Sequence, residues 1–278
     1  MKHWIAQAAV AFGLLGAGCT SPARPMAPPA VTYYPTPTAI PAVPPTPTSL
    51  VYDGRWQIKA PGIEYALIEA TQDGRREWIL VARVQPRRAR MRVAYAPDAP
   101  KTVREWHLTS QADLVVNAGF FDQQNRTTGL VVADGQVFGR SYVGFGGMFA
   151  LRSGAPSLQW LRDEPYRPDA SITQAVQGFP MLVVDGAVVE GIPESDRRHR
   201  RTFVALDRSG RVLLGVTQLA QWRLSDLAIY LATSDLDVWR ALNLDGGGSS
   251  GLWLSQPHTS ISMNSLDPVP TVILVWAG

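Results

Sequence analysis

From about Leu50 onward the chain is written as short apolar, β-branched runs cut by Asp-Gly and similar turn signals, and this punctuation commits it to a sheet-rich fold. Residues 63–70, 77–84 and 90–96 alternate as strands do. The pairs Asp134-Gly135 and Asp185-Gly186 and the segment Asp207-Arg208-Ser209-Gly210 each separate two apolar runs, so three hairpins are expected. Their aspartates serve turns that need positive φ, which makes Asp134, Asp185 and Asp207 structural. Residues 102–111 and 225–239 read as helices, the second with Ser225 as N-cap and with Leu227, Ala228, Leu231 and Val238 on its apolar side. Residues 252–254 and 271–276 close the domain as strands. Arg83, Arg87, Arg88, Arg90 and Arg92 form a basic run, which alternation turns into a solvated sheet face rather than a polyanion site. The expectation is one α+β domain, residues 50–278, built on a mixed, largely antiparallel sheet with a few helices.

The first fifty residues follow other rules. Lys2, the apolar run of residues 4–15 and then Gly16-Ala17-Gly18-Cys19 make an export signal of residues 1–19. The small residues before Cys19 resemble the lipobox of bacterial lipoproteins, although Gly16 stands where that box usually has an aliphatic residue. Lipidation of Cys19 would tether the protein to the membrane of the cell envelope; the alternative is a cleaved secretory signal. Residues 20–49 are rich in proline and read as an extended spacer, roughly 3 Å per residue, between anchor and domain. Cys19 is the only cysteine, which excludes an internal disulfide, a thiolate zinc site and a cysteine nucleophile in the exported domain. A formal net charge of +3 gives no support for nucleic acid as a partner.

Two strand ends carry the chemistry. Ala241-Leu242-Asn243-Leu244 runs into Asp245-Gly246-Gly247-Gly248-Ser249-Ser250-Gly251, a carboxylate followed by a loop able to present backbone N–H groups to an anion. The buried run Leu114-Val115-Val116 likewise delivers Asn117-Ala118-Gly119-Phe120-Phe121-Asp122. Gly247-Gly248-Ser249-Ser250-Gly251 spells a hydrolase nucleophile elbow, but a short strand rather than a helix follows it, and His258 precedes Asp267. Gly144-Phe145-Gly146-Gly147 fails the dinucleotide pattern. The charged stretch Asp196-Arg197-Arg198-His199-Arg200-Arg201-Thr202 leads into a strand and, alone, reads as a solvated loop.

Taken together, the motifs resemble the phosphodiester glycosidase family: Asn117 to Asp122, then Gly178-Phe179-Pro180, then His199-Arg200-Arg201-Thr202, and Asn243 to Ser250. Two departures stand out: Arg200 where proline is frequent, and the segment Leu266-Asp267-Pro268-Val269-Pro270, which lacks the arginine expected just before the proline. The resemblance implies hydrolysis of a sugar-1-phosphodiester at the anomeric C–O bond, releasing sugar and a phosphate monoester. It implies catalytic roles for Asp122, Asp245 and His199, and substrate binding by Asn117, Gly119, Arg201, Gly246, Gly247, Gly248 and Ser249. No cofactor is implied, and no dense carboxylate cluster demands a divalent cation. Two other readings stay open: a non-catalytic envelope lipoprotein that binds phosphorylated glycan, and an ordinary two-carboxylate glycoside hydrolase.

Overall fold

Strict alternation along the strands generates the layering. In β3 (Arg75–Val84), Leu80, Ala82 and Val84 enter a central core while Ile79 and Val81 enter a second one on the opposite face. This is why such strands read as nearly continuous apolar runs: both faces are covered. The structure, a computed structural model, describes residues 56–72, 74–192, 197–254 and 262–278. The expected leader, Cys19 and the proline-rich spacer lie outside the described residues.

Three antiparallel sheets surround the central core. The largest runs in the order β1 (Gln57–Ala60), β2 (Ile63–Gln72), β3, β14 (Val212–Thr217), β13 (Thr202–Asp207), β15 (Val238–Asn243), β11 (Met181–Val184) and β12 (Ala187–Val188). A second is ordered β7 (Gln136–Phe138), β6 (Val131–Ala133), β10 (Ile172–Gly178), β8 (Gly147–Arg152) and β9 (Ala155–Trp160). The third is ordered β17 (Ser262–Met263), β16 (Leu252–Leu254), β5 (Leu114–Asn117), β18 (Thr271–Ala277) and β4 (Ala89–Tyr95). Leu80, Val204 and Leu242 from the first sheet meet Phe149 and Val176 from the second and Val116 and Ile273 from the third. Each such side chain removed from water contributes about 1.5–3 kcal/mol before entropy is counted.

Helix α1 (Val103–Ser110) starts in a capping box between Thr102 and Glu105 and packs Val103 and Trp106 on Val115, Val272 and Leu274. Helix α2 (Leu224–Thr233) lays Leu227, Ala228 and Leu231 on Ile79, Phe203 and Ala241, the outer face of the first sheet.

The differences from expectation have local causes. With two short α-helices and eighteen strands among the described residues, the fold is β-dominated rather than evenly α+β. Every described pairing is antiparallel, so the sheet is not mixed. Helix α2 begins one residue before Ser225, and Arg223 is its N-cap. It stops at Thr233, because Ser234 takes an extended backbone with ψ 162° while its N–H still closes the last helical bond to Tyr230, and Asp237 with φ +56° then turns the chain toward β15. Val238 and Trp239 therefore belong to β15, where Val238 pairs with Asp207. The hairpin aspartates behave as turn residues: Asp134 and Asp185 have φ of +50° and +52° with glycine following, and Asp207 Oδ1 accepts the N–H groups of Ser209 and Arg211 at 2.9 Å.

Candidate active site

The ends of β5, β10 and β15 and the start of β13 meet at one edge, where the three sheets come together. Asn117, at the end of β5, is the knot. Its Nδ2 donates to the Asp245 carbonyl at 2.7 Å, and its Oδ1 accepts the Thr202 hydroxyl and the Gly251 N–H, each at 2.9 Å. The Asp245 N–H donates to the Ala118 carbonyl at 2.9 Å. The two most specific sequence motifs are thus stitched to one another, with the strand parity of Thr202 joining β13 to the same cluster.

The glycine loop is shaped from within. Gly247 has φ +63°, and residues Gly247–Ser249 form one 3₁₀ turn. The Gly246 N–H is taken by Asp245 Oδ1 at 2.9 Å, and the Gly247 N–H by the Arg200 carbonyl at 2.8 Å. The Ser249 N–H returns to the Gly246 carbonyl at 3.2 Å. A backbone cradle of four free N–H groups, expected for Gly246 to Ser249, is therefore not what the loop offers. Three of those four donors, on Gly246, Gly247 and Ser249, are spent on Asp245, on Arg200 and on the loop itself.

Asp245 is the most perturbed carboxylate of the site. Burial, with the nearby charge of Asp267 adding to it, pushes its pKa from the ordinary 3.8 to about 6, while hydrogen bonds from Ser249 and the Gly246 N–H oppose the rise. Asp267 arrives from the segment before β18. Its N–H and that of Leu266 both donate to the Gly248 carbonyl, at 3.1 and 2.8 Å. Its carboxylate lies so close to Gly248 that a Cβ there would sit 1.9 Å from Oδ2.

An aromatic row borders the same mouth. Burial, and secondarily the charge of Asp245, raise the pKa of Tyr142, whose hydroxyl lies 3.0 Å from that of Thr128. The Tyr142 ring stacks on Phe145 with centroids 4.8 Å apart, and Phe145 meets Phe179 edge-on at 5.5 Å. Phe179 is locked to the strand bearing the carboxylate: its N–H donates to the Asn243 carbonyl, and Asn243 Nδ2 donates to its own. A hollow of about 190 Å³ beside this row is lined by Phe145, Phe179, Trp160 and Arg162 among others.

The two adjacent arginines turn in different directions. Arg201 points to the α2 side, where Nε donates to the Trp222 carbonyl and Nη2 to the Arg197 carbonyl, both at 3.1 Å. Burial lowers its pKa from the ordinary arginine range to about 10, with Asp226 opposing. Arg200 is out of step by one residue and reaches the other way: Nη2 donates to the Asn264 carbonyl at 3.2 Å, beside the segment carrying Asp267. Its Nε is buried with no hydrogen-bond partner among the described residues, and burial lowers its pKa while Glu77 opposes.

The remaining expected residues fall as follows. Asn117 is 1% exposed, with its amide nitrogen on the Asp245 carbonyl and its oxygen on Thr202 and Gly251, so it positions the loop. Gly119 lacks a side chain because Val176 Cγ2 would lie 2.9 Å from it. Asp122 Oδ1 accepts the N–H groups of Gln124 and Arg126 at 2.9 Å, the geometry of a turn. His199 is exposed and bridges to Trp222 through its backbone. Among the described residues, no three or more His, Cys, Asp or Glu side chains come together as a metal would require. Tyr142 had no sequence signal as a site residue, while Arg200 and the segment containing Asp267 were marked only as departures from the motifs.

A β-dominated scaffold thus carries a carboxylate with a raised pKa and a glycine loop at the end of β15, with an aromatic row tied to the same strand through Phe179. The phosphodiester glycosidase family model matches residues 110–276, and the chain belongs to that family. No curated protein matches the sequence. Among solved structures, the chain is similar to the catalytic domain of zebrafish N-acetylglucosamine-1-phosphodiester alpha-N-acetylglucosaminidase, auto-inhibited by its pro-peptide. That match has 19% identity and a TM-score of 0.63, and covers 79% of this chain and 85% of that one. A hypothetical protein from Synechocystis is similar at 16% identity and a TM-score of 0.57, over 78% of this chain and 62% of that one. At these identities the likeness is one of fold.

Proposed function

We propose that the protein hydrolyses a sugar-1-phosphodiester at the anomeric C–O bond, releasing the free sugar and a phosphate monoester. The observation that carries this is Asp245, a carboxylate poised near pH 6 at the tip of the loop by which the chain resembles its family. The departing phosphate is a weak base, so the step needs little acid assistance; it needs a base for water and charge stabilisation. Asp245 takes a proton from the attacking water, the water oxygen bonds to the anomeric carbon, and the electron pair of the broken C–O bond goes to the phosphate oxygen. Arg200 holds the phosphate, and the Tyr142–Phe145–Phe179 row faces the apolar side of the sugar. Arg201 and Asn117 hold the frame.

The test is turnover of a methyl diester of N-acetylglucosamine-1-phosphate by the full chain, read as methyl phosphate by phosphorus NMR. Release by the wild type and loss in Asp245→Asn support the reading; equal turnover by both removes it. The chain acts in the cell envelope, held by lipid at Cys19 with residues 20–49 as spacer. The positive residue, apolar run and small residues before Cys19 support this. Incorporation of a labelled fatty acid into the wild type but not into Cys19→Ser tests it.

A further inference from the structure

The segment 264–267 brings a carboxylate to the glycine loop and accepts a guanidinium N–H. Arg200 reaches it through the Asn264 carbonyl, and Asp267 lays its carboxylate against Gly248. This segment is firmly held although Asp267 itself is exposed. Ser265 is 3% exposed and its hydroxyl accepts the Val103 N–H at 3.0 Å; Val269 is 1% exposed and its carbonyl accepts the indole N–H of Trp106 at 2.9 Å. Between these anchors the Gly248 carbonyl accepts two N–H groups, so the position of Asp267 is set by its backbone on both sides. Residue 248 must lack a side chain for the carboxylate to lie there.

We infer that Asp267 is a catalytic residue of this site: its carboxylate faces Asp245 across Gly248 and stabilises the positive charge that develops at the anomeric carbon. The inference rests on the proposed reaction and adds a second carboxylate to it. In the transition state the bond from the anomeric carbon to the phosphate oxygen lengthens, leaving cationic character on the sugar and a second negative charge on the phosphate. With both carboxylates at the anomeric carbon and Arg200 at the phosphate, the site matches that separation of charge. It matches the neutral sugar of the ground state less well, which is the differential needed for rate. The balance is complete: substrate and water yield sugar, phosphate monoester and one proton, which Asp245 accepts from water and passes to solvent. Asp267 gains and loses nothing. The groups facing Asp245 are Asp267 from the segment before β18, Tyr142 from the segment before β8, and the Ser249 hydroxyl of its own loop. Asp267 is thus the like charge against which Asp245 titrates.

The experiment compares wild type, Asp267→Asn and Gly248→Ala as full chains, with the methyl diester of N-acetylglucosamine-1-phosphate as substrate across pH 4–9. Because Asp267 is exposed, its substitution should leave the melting temperature close to that of the wild type. The expected result is a fall in kcat on the order of 100-fold with KM within about threefold. The rising limb of kcat/KM, near pH 6 in the wild type, should move to lower pH in Asp267→Asn. Gly248→Ala, which displaces the carboxylate, should lower kcat in the same way, and formate should restore part of the rate to Asp267→Ala. Unchanged kcat and an unmoved limb in Asp267→Asn overturn the inference. A wild type without turnover refutes the phosphodiester reading instead, and carbon-detected NMR titration of Asp245 then decides on Asp267. A lower midpoint in Asp267→Asn supports the pairing, and an unchanged midpoint overturns it.

Discussion

Replacing Asp245 by asparagine should make the protein more stable at neutral pH while abolishing its activity. The folded-state pKa of about 6 lies above the ordinary 3.8, so between those values the native chain binds more protons than the unfolded one. Stability attributable to this group is therefore greatest below pH 4 and is lost as pH rises through 6. At about 1.4 kcal/mol per pK unit, the shift amounts to roughly 3 kcal/mol of destabilisation once Asp245 is charged. Asparagine is nearly isosteric, and its carbonyl oxygen can still accept the Gly246 N–H, so most of that penalty is removed at the cost of a weaker hydrogen bond. The net expectation is a gain of about 1–3 kcal/mol at pH 7.5, shrinking toward zero by pH 4. Urea unfolding of the two proteins at pH 4, 5, 6 and 7.5 measures it. A variant that is less stable at pH 7.5, or a difference independent of pH, would refute the claim that Asp245 is held at an energetic cost.

Four further outcomes follow from the same contacts. Asn117→Ala strands the Thr202 hydroxyl and the Gly251 N–H in a buried place and should cost about 2–4 kcal/mol in denaturant titration. Arg201→Ala should lower stability by about 1–3 kcal/mol, because the carbonyls of Trp222 and Arg197 lose their donor, and should leave KM little changed if folded enzyme is assayed. Arg200→Ala should do the reverse: a KM rise of about tenfold or more for the phosphodiester with a smaller effect on melting temperature. Gly215→Ala places a Cβ 2.1 Å from the Phe203 ring in a fully buried layer and should destabilise by about 1–3 kcal/mol or prevent folding, as read by circular dichroism and expression yield.

Local signals made most of the scaffold readable. Alternation located β2, β3, β4 and β18 to within about two residues, and Asp-Gly pairs located the first two hairpins, because strand faces and positive-φ turns are short-range properties. Pairing direction and the end of α2 are not short-range. Val238 fits a helical face by spacing, yet it pairs with Asp207, thirty-one positions earlier, across the sheet. The site divides in the same way. That Asn117 and Asp245 would meet was legible from two strand ends sharing one design. That Asn117 would be consumed in joining them, and that Gly246 and Gly247 would spend their N–H groups internally, depends on partners the spelling does not name. Arg200 and Arg201 are adjacent arginines with opposite fates, decided by which face of β13 each one follows. Asp267 is exposed and lies in an irregular segment, so nothing periodic marks it; only its approach to Gly248 does.

The central claim is that this site cleaves the bond between the anomeric carbon and oxygen, leaving the phosphate's own bonds intact. Hydrolysis of the methyl diester of N-acetylglucosamine-1-phosphate in water enriched in oxygen-18, with mass analysis of the methyl phosphate, addresses it directly. Methyl phosphate free of the heavy isotope is the predicted result. Methyl phosphate carrying one heavy oxygen would place the cut at phosphorus and contradict the roles given to Asp245, Asp267 and Arg200.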